Sequence, residues 1–321
     1  MRLNVVIVNY RTPKLVIDCL ASLENELEIG QDIVVVVDNC SGDDSVKKIK
    51  ESVTINKWNN FVKIVSSPLN GGFSAGNNVG IKTVKADVYL LLNSDTIVRP
   101  GAIKSLIKGM NAHPEAGLIS PRLEWLDGIP QISCFRYRSP ISEFIGAAST
   151  GLMTKMLGTF DVPLNVSDVP IKPQWTSFAC VLIRNEVIEQ IGLMDEGYFM
   201  YFDDIDYCRK ARNVGWEVLH WPEARVVHLR GGSSPVKAAI AARKRPKPYY
   251  YASRSRYFTS FYGPVGLWIA NLFWLAGRSV SMIRELLRTK QPHTCEYEAQ
   301  DIWLNWRNPM KPFLSTKNKP S

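Results

Sequence analysis

The stretch DVYLLLNSD (residues 87–95) decides the fold class of this chain. It is apolar until it ends abruptly in Asn93, Ser94 and Asp95. Strands that are buried on both faces of a parallel sheet show this continuous apolar pattern, whereas half-exposed strands alternate. The sequence therefore predicts a buried strand here. Three earlier segments share the pattern and also end in polar residues: LNVVIVNY (3–10), DIVVVVDN (32–39) and FVKIVSS (61–67).

Segments with helical spacing separate these four predicted strands. They cover residues 13–26, 43–52, 73–85 and 101–110. Alternating strands and helices joined by right-handed crossovers form a doubly wound, mainly parallel α/β sheet.

The later part of the chain is less regular before the pattern resumes. Residues 122–175 are rich in Gly, Pro and Ser, and they are expected to form loops around a site. We expect a strand at 175–184, helices at 185–192 and 203–215, and two short strands followed by a glycine turn within 216–232.

The composition and the cysteine pattern indicate a globular protein of the reducing cytosol. The chain has 321 residues, of which 45 % are hydrophobic, as in proteins with a full core. Six cysteines occur singly without a CxxC pair, which argues against a disulfide framework or a zinc site. The apolar run in MRLNVVIVNY is too short for a secretory signal and is typical of a buried first strand.

The net charge of +9 is concentrated in the C-terminal third. Residues 230–321 contain 16 Lys or Arg and 4 Asp or Glu, whereas the remaining residues contain 23 and 26. A basic segment of this kind faces an anionic partner, and nucleic acid and an acidic lipid surface are the two candidates.

We divide the chain into a domain at 1–232 and a helical, basic and aromatic extension at 233–321. YGPVGLWIANLFWLAG (262–277) is shorter than the roughly 20 apolar residues that span a membrane. An interfacial helix anchored by Trp268, Phe273 and Trp274 fits this segment, and a helix packed on the core is the alternative. The last seven residues, STKNKPS, are expected to be disordered.

Polar clusters follow the predicted strands, where ligands of open parallel sheets bind. Asp38 can accept a hydrogen bond from a ribose hydroxyl or a base N–H, or it can cap the turn that follows. The glycines after Asn70 allow close backbone approach and precede a helix start that can meet phosphate, although such loops are often only tight turns. GxGxxG after the first strand and GxxxxGK[ST] are both missing, which argues against dinucleotide oxidoreductases and P-loop enzymes.

Asp95 and His228 are the candidate metal ligands. One Asp at the end of a buried strand suits a divalent cation whose shell is completed by phosphate oxygens and water. Imidazole binds ions of the Mn²⁺ class, and His228 closes the apolar segment ARVVH. The alternatives are a turn cap for Asp95 and a structural role for His228.

The stretch YFDDIDYC (201–208) places three carboxylates within four positions. A helix that starts at Asp203 stabilises negative charge by about 0.3–1 kcal/mol through its macrodipole, which accounts for one carboxylate rather than three. Asp206 lies near Arg209 and Lys210 and can be structural. Asp203 or Asp204 can act as a general base for a hydroxyl group, with helix capping as the alternative.

Taken together, these segments resemble the family 2 glycosyltransferases with the GT-A fold, specifically the bacterial rhamnosyltransferase-like branch. The resemblance extends in family order over residues 3–234. The matching segments are VVIVNYR, VVVVDNCSGD, NGGFSAGNNVGI, LLLNSDTIV, the run from FACVLIR to NVGWEV, and HLRGGSS.

The resemblance implies a role for each candidate at the donor side. Asn93-Ser94-Asp95 matches the DxD-type motif, with Asn93 in place of the first acid, and Asp95 and His228 are the implied ligands of Mg²⁺ or Mn²⁺. Asp38 is the implied nucleobase or ribose contact. The implied nucleotide-sugar contacts are Asn9, Tyr10, Arg11, Asp38, Asn70, Gly72, Phe73, Asn77, Asn93 and Ser94.

At the acceptor side, Asp204 matches the catalytic base, Asp203 is the fallback, and Asp195 and Glu196 would lie at the entrance. The implied reaction is a single displacement with inversion, in which the base takes a proton from an acceptor hydroxyl. Backbone N–H groups and the metal stabilise the charge on the departing nucleoside diphosphate.

The implied donor is dTDP-L-rhamnose. The implied acceptor is a lipid-diphosphate-linked saccharide at the inner face of a bacterial cell membrane, used for a cell-surface polysaccharide. Galactofuranose, glucose and N-acetylhexosamine donors are alternatives within the class. Peripheral membrane contact would use the basic extension, since each Lys or Arg near an anionic leaflet contributes about 1 kcal/mol.

Two other classes of protein are the rivals. RKRPKPYYYASRSRYF (243–258) interleaves basic and aromatic residues as single-strand nucleic-acid binders do, but such binding leaves Asp95, Asp204 and His228 unexplained, so no nucleic acid is expected. Metal hydrolases with an aspartyl nucleophile place it after the first strand, where this chain has Asn9-Tyr10.

Overall fold

A computed structural model of the protein describes residues 1–229, 235–287 and 291–313. The expected disorder of residues 315–321, the glycine turn at 231–232 and the end of the first predicted domain lie outside these ranges. The strands of the described ranges are β1 (Leu3–Asn9), β2 (Ile33–Asp38), β3 (Val62–Ser66), β4 (Val88–Asn93), β5 (Thr96–Val98), β6 (Ala116–Glu124), β7 (Cys134–Phe135), β8 (Trp175–Thr176), β9 (Cys180–Arg184) and β10 (Glu217–His228).

Eight of these strands form one sheet in the order β3-β2-β1-β4-β9-β6-β10-β5, and β7 pairs with β8. Strand β1 runs parallel to both β2 and β4, which places Asn9 opposite Asp38. Strand β9 is antiparallel to β4 and β6, β10 is parallel to β6, and β5 is antiparallel to β10. The carboxyl ends of β1, β2, β4 and β10 therefore meet at one edge of the sheet, and the predicted mixed, mainly parallel sheet is confirmed.

Helices cover both faces of this sheet. Alternate residues of a strand point to opposite faces, so Val5 and Ile7 pack with α1, α2 and α4, whereas Val6 packs with α3, α7 and α8. The helices of the described ranges are α1 (Pro13–Leu23), α2 (Ser45–Ile55), α3 (Gly72–Thr83), α4 (Ala102–Ala112), α5 (Pro140–Ala148), α6 (Gly151–Met156), α7 (Asn185–Ile191), α8 (Asp203–Asn213), α9 (Pro235–Ala241), α10 (Pro248–Leu286) and α11 (Glu298–Asp301).

Three predictions of local structure are wrong. The single strand expected at 175–184 is divided into β8 and β9, which lie in different sheets. Residues 217–228 form one strand rather than two, because a register shift between Trp221 and Arg225 accommodates Pro222, which has no N–H, without ending the ladder. Residues 122–175 contain α5 and α6 as well as loops. Residues that favour loops start α5 instead. The Ser139 hydroxyl accepts from the N–H of Ser142 and so caps the helix, and Pro140 lies in its first turn.

Helix α10 is folded back on itself as a hairpin. Gly263 has φ 71° and ψ 174°, and Pro264 follows it. The Arg254 guanidinium donates to Asn271 Oδ1 at 2.7 Å, although the two residues are 17 positions apart and would be separated by about 25 Å in a straight helix. We call residues 248–262 the first arm and residues 264–286 the second arm.

The second arm packs on the protein along one side, which is the alternative raised for residues 262–277. Gly277 leaves no room for a side chain, since a Cβ there would lie 2.4 Å from the Phe144 carbonyl oxygen of α5. Trp274 is buried against Ala147 and Tyr251, so its predicted role as a membrane anchor is wrong. Trp268 and Phe273 are exposed. Across the three described ranges, no helix combines the length and apolar character needed to cross a membrane.

Candidate active site

A hydrogen-bonded network joins the ends of β1 and β2. Asn9 Nδ2 donates to Asp38 Oδ1 at 2.8 Å and to Ser41 Oγ at 3.1 Å. The Ser41 hydroxyl in turn donates to the same Asp38 oxygen at 2.6 Å, and the Ser41 N–H donates to Asp38 Oδ2 at 3.2 Å. The Asp38 carboxylate is therefore held in one orientation at the sheet edge.

Arg11 and Tyr10 lie on the exposed side of this network. The Arg11 Nε donates to the Ser41 carbonyl at 2.8 Å, and its guanidinium lies 5.2 Å from the centre of the Tyr10 ring. Arg11 also has a left-handed φ of 61°. Arg11 thus contacts the same Ser41 that holds Asp38, and the exposed Tyr10 ring lies beside it.

Gly72, the first residue of α3, makes a close contact with the backbone of Phe199. Gly72 has φ +86°, and a Cβ there would lie 1.9 Å from the Phe199 carbonyl oxygen. The N–H of Gly72 donates to Asn70 Oδ1 at 3.0 Å, and the N–H of Phe73 donates to that Phe199 carbonyl at 2.7 Å. These two amides are occupied by protein acceptors, so the expected phosphate contact through them is not supported. Asn77 is also turned inward, donating to the Phe73 carbonyl at 3.0 Å.

Asp95 and His228 meet at the end of the sheet. His228 Nε2 lies 3.5 Å from Asp95 Oδ1, because the antiparallel pairing of β5 with β10 sets His228 opposite Thr96. Both side chains are buried, at 1 % and 5 % exposed. Ser94 is buried beside them, with its hydroxyl 3.3 Å from that of Thr12.

This pair fits a divalent cation. A carboxylate and an imidazole are both common ligands of Mn²⁺-class ions, and His228 Nε2 is the ring nitrogen that faces Asp95 Oδ1. Within the described ranges, no group of three or more His, Cys, Asp or Glu side chains is arranged to hold a metal. A cation here would therefore take its remaining ligands from phosphate oxygens and water.

The first turn of α8 separates its three carboxylates into different environments. Asp203 is 5 % exposed, and it accepts hydrogen bonds from Ser74 Oγ at 3.4 Å and the Asp204 N–H at 3.2 Å. Burial, and then the charge of Asp204, raise the pKa of Asp203 well above its ordinary value. Asp204 is partly exposed. Asp206 is buried and paired with Lys210 at 2.7 Å, which confirms its structural role.

Residues 194–202, which we call the acceptor loop, lead directly into α8. The two carboxylates expected at an open entrance are engaged by the protein instead. Arg256 donates to both oxygens of Asp195, at 2.9 and 2.8 Å, and Glu196 accepts from Asn78 Nδ2 at 2.9 Å. Burial acts to raise the pKa of Asp195, but the hydrogen bonds from Arg256 and Gly197 outweigh it and lower that pKa. Glu196 is exposed, and the expected entrance role of these two residues stays a prediction.

Sequence reasoning missed four residues that build this site. Ser41 follows Asp38 by three positions, and such Asp–Ser spacing is a turn signal that could have revealed it. Asn39 donates to Asn70 Oδ1 and to the Gly72 carbonyl, at 3.0 and 2.9 Å. Asn78 and Arg256 gave no local signal, because their partners lie far away in the chain.

Comparison with known proteins agrees with this architecture. Residues 4–135 match the family model described as Glycosyl transferase family 2. The chain is 29 % identical over 220 residues to an N-acetylglucosaminyl-diphospho-decaprenol L-rhamnosyltransferase of Mycobacterium tuberculosis, covering 63 % of this chain and 66 % of that protein. It is 26 % identical over 218 residues to the dTDP-rhamnosyl transferase RfbF of Shigella flexneri, covering 67 % of this chain and 66 % of that protein.

Among solved structures, the fold is similar to that of the mannosyltransferase PcManGT from Pyrobaculum calidifontis in complex with GDP-Man and Mn²⁺. The TM-score is 0.56 at 13 % identity, over 96 % of this chain and 85 % of that one. The fold is thus a GT-A fold. The family 2 match covers residues 4–135, and the predicted resemblance to family 2 glycosyltransferases of the rhamnosyltransferase-like branch is confirmed.

Proposed function

We propose that this protein is an inverting, metal-dependent glycosyltransferase that transfers L-rhamnose from dTDP-rhamnose to a hydroxyl group of a lipid-linked saccharide. The observation that carries the proposal is the meeting of Asp95 and His228, 3.5 Å apart, at the sheet edge that also holds Asp38. The start of α8, with Asp203 and Asp204, lies at the same edge, because Asp203 accepts from Ser74 in the first turn of α3.

The donor nucleotide would bind between the ends of β1, β2 and β4. Asp38, oriented by Asn9 and Ser41, would accept from the ribose or the base, and Tyr10 and Arg11 would border the nucleotide. Asp95 and His228 would hold Mg²⁺ or Mn²⁺, which when bound neutralises charge on the diphosphate leaving group. Asn93, which replaces an acid of the DxD-type motif, keeps the charge of this site low.

Asp204 would be the general base. A base must be ionised and within reach of the acceptor hydroxyl, and Asp204 is partly exposed whereas Asp203 is buried. Burial and the charge of Asp204 raise the pKa of Asp203, which makes Asp203 the weaker choice for a base that must be ionised.

In the proposed step, the Asp204 carboxylate takes the hydroxyl proton while the hydroxyl oxygen bonds to the anomeric carbon. The bond from that carbon to the diphosphate oxygen breaks on the opposite face. One carboxylate suffices for this inversion, whereas retention through a covalent intermediate uses a second one.

The names of the relatives support the choice of substrates. Both relatives are rhamnosyltransferases, one named for dTDP and the other for an N-acetylglucosaminyl-diphospho-decaprenol acceptor. A saccharide linked through a diphosphate to a polyprenol is accordingly the proposed acceptor, in the synthesis of a cell-surface polysaccharide. Transfer from a galactofuranose, glucose or N-acetylhexosamine donor is the alternative.

A peripheral contact with the inner face of a bacterial cell membrane would give access to such an acceptor. The second arm of α10, together with Leu287 that follows it, has one exposed face, which we call the exposed arm face. The residues of this face are apolar except for Ser279, and none of them is charged. They are Pro264, Val265, Trp268, Ile269, Leu272, Phe273, Ala276, Ser279, Met282, Ile283, Leu286 and Leu287.

Exposed basic residues lie near the end of this face. Arg243, Lys244 and Lys247 are exposed, and the Arg243 carbonyl accepts from the N–H of Glu296 at 3.1 Å. Residues 293–296 also contact the second arm, since His293 Nδ1 lies 3.6 Å from Glu285. Apolar residues that enter the lipid, flanked by cations that meet anionic headgroups, are the pattern of an interfacial helix.

The proposal is tested by release of nucleoside diphosphate from a panel of nucleotide sugars, with Mg²⁺ or Mn²⁺ and a polyprenyl-diphosphate-linked saccharide as acceptor. We expect turnover of dTDP-rhamnose by the wild type and its loss in Asp95→Ala and Asp204→Asn. A preference for a UDP- or GDP-sugar would overturn the donor assignment. Absence of turnover with every donor in the presence of acceptor would overturn the proposed activity.

A further inference from the structure

The acceptor loop carries backbone strain immediately before the proposed base. Tyr201 and Phe202 both have left-handed φ angles, 68° and 65°, and Asp203 and Asp204 follow them. Each left-handed residue other than glycine costs about 1–2 kcal/mol. Two in succession persist only where surrounding contacts over-determine the backbone, so the loop must be held by its neighbours.

Contacts from the GT-A core hold one side of this loop. The Phe199 carbonyl accepts from the Phe73 N–H at 2.7 Å, and the Tyr198 hydroxyl donates to Asp206 Oδ1 at 3.1 Å. Asn78 donates to the Met194 carbonyl at 2.9 Å and accepts from the Met194 N–H at 3.1 Å.

Contacts from α10 hold the other side, where Arg256 makes the ion pair and tyrosine rings of the first arm pack on Phe199, Tyr201 and Phe202. The Arg256 guanidinium donates to both oxygens of Asp195 and also to the Met310 carbonyl at 2.6 Å, and it lies over the ring of Tyr198. A Cβ at Gly197 would lie 2.1 Å from the Arg256 guanidinium carbon, so the loop is shaped around this side chain.

A second contact from the same arm supports the one made by Arg256. Ser253 Oγ donates to the Met200 carbonyl at 3.0 Å, one residue before the strained pair. Arg256 and Asp195 are 11 % and 21 % exposed at their side chains, so water screens this ion pair only weakly. The first arm of α10 thus holds the loop at two points, Asp195 and Met200.

We propose that Arg256 is a positioning residue that, by fixing Asp195 and the acceptor loop, orients Asp204 toward the acceptor hydroxyl. The inference rests on the proposed function, and it makes the first arm of α10 part of the catalytic machinery rather than only a connection to the membrane-facing arm. Donor binding should be independent of Arg256, because the donor groups Asn9, Asp38 and Asp95 lie at the strand ends, where Asn9 and Ser41 hold Asp38 and His228 lies beside Asp95.

The test compares Arg256→Gln with Arg278→Gln. Arg278 also makes a bidentate pair, to Glu285 at 2.6 and 2.9 Å, with similar side-chain exposures of 18 % and 14 %, but it lies in the second arm away from the loop. Misplacement of a reacting group by about 1 Å costs up to about 100-fold in rate. We therefore expect Arg256→Gln to lower kcat by about 10- to 100-fold, with the KM for the donor and the Kd for its nucleoside diphosphate unchanged. Arg278→Gln should leave kcat near the wild-type value.

Two further readouts keep the inference separable from the proposed activity. Hydrogen exchange at the amides of residues 198–204 should become faster in Arg256→Gln and stay unchanged in Arg278→Gln, whatever reaction the protein catalyses. In a double-mutant cycle, Asp195→Asn combined with Arg256→Gln should be no worse than either change alone. Equal kcat for the two arginine variants, a rise in donor KM that matches the fall in kcat, or unchanged exchange at 198–204 would overturn the inference.

Discussion

Asp203 and Asp204 are adjacent in the chain, yet the fold gives them different electrostatic environments. Asp203 turns toward Ser74 and is 5 % exposed, whereas Asp204 stays partly in solvent. Burial disfavours the charged form of a carboxyl group, so the pKa of Asp203 is raised. Sequence alone left the choice between these two residues open, because it gives no information on which of two neighbours faces the interior.

We expect Asp204→Asn to lower the transfer rate by about 100- to 10,000-fold, the usual contribution of a general base. Asp203→Asn should keep most of the wild-type kcat, because the amide resembles the protonated carboxyl group that it replaces. Steady-state kinetics of both variants with the same donor and acceptor would decide the assignment. The reverse order of severity would make Asp203 the base.

The raised pKa of Asp203 also predicts how stability depends on pH. Its folded-state pKa lies above the ordinary value of 3.8, so the folded protein binds this proton more tightly than the unfolded chain. The resulting stabilisation is complete below about pH 3.8 and is lost as the pH rises toward the folded-state pKa. From pH 4 to 8, the Tm of the wild type should therefore fall relative to that of Asp203→Asn. Parallel Tm curves would show that Asp203 titrates normally in the folded protein.

At the scale of elements, strand ends were predictable and helix partners were not. The four apolar runs ending at Asn9, Asp38, Ser66 and Asn93 appear as β1 to β4 within two residues of their predicted bounds, because a strand buried on both faces has an unambiguous pattern. Helix α5 was missed because its Ser, Pro and Gly residues are also loop formers. Gly263-Pro264 is a local signal for the fold-back of α10, but the packing of both arms on α5, which closes the hairpin, has no local pattern.

The contact between α3 and the acceptor loop can be tested by comparing alanine substitutions at two glycines, Gly72 and Gly101. Gly72 and Gly101 both have left-handed φ, +86° and +80°, but only Gly72 faces another backbone. Gly101→Ala should cost about 1–2 kcal/mol for the backbone conformation alone, whereas Gly72→Ala should cost about 2–5 kcal/mol once overpacking is added. Urea unfolding gives both values. Equal costs would mean that the Phe199 carbonyl moves aside freely.

For the whole molecule, the hairpin of α10 connects two kinds of surface. Its first arm holds the acceptor loop through Ser253 and Arg256, and its second arm carries the exposed arm face. Monomeric proteins seldom expose apolar patches of this extent without a binding partner. An acceptor anchored in a bilayer would reach the start of α8 if the second arm lay on the membrane, because the first arm of the same hairpin contacts the acceptor loop.

The exposed arm face should therefore bind vesicles that contain anionic lipid. Leu272 is 55 % exposed, so Leu272→Asp should leave the fold intact while it weakens vesicle binding by about tenfold or more, the equivalent of one lost apolar side chain. Ile55→Asp, at a residue of α2 that is 78 % exposed, is the matched control and should bind like the wild type. Co-sedimentation with vesicles at low and high salt measures the apolar and the electrostatic contributions to binding separately, since added salt weakens only the contribution of the basic residues. Equal binding by the two variants would place the membrane contact elsewhere. Absence of binding by the wild type would instead favour a protein partner for this face.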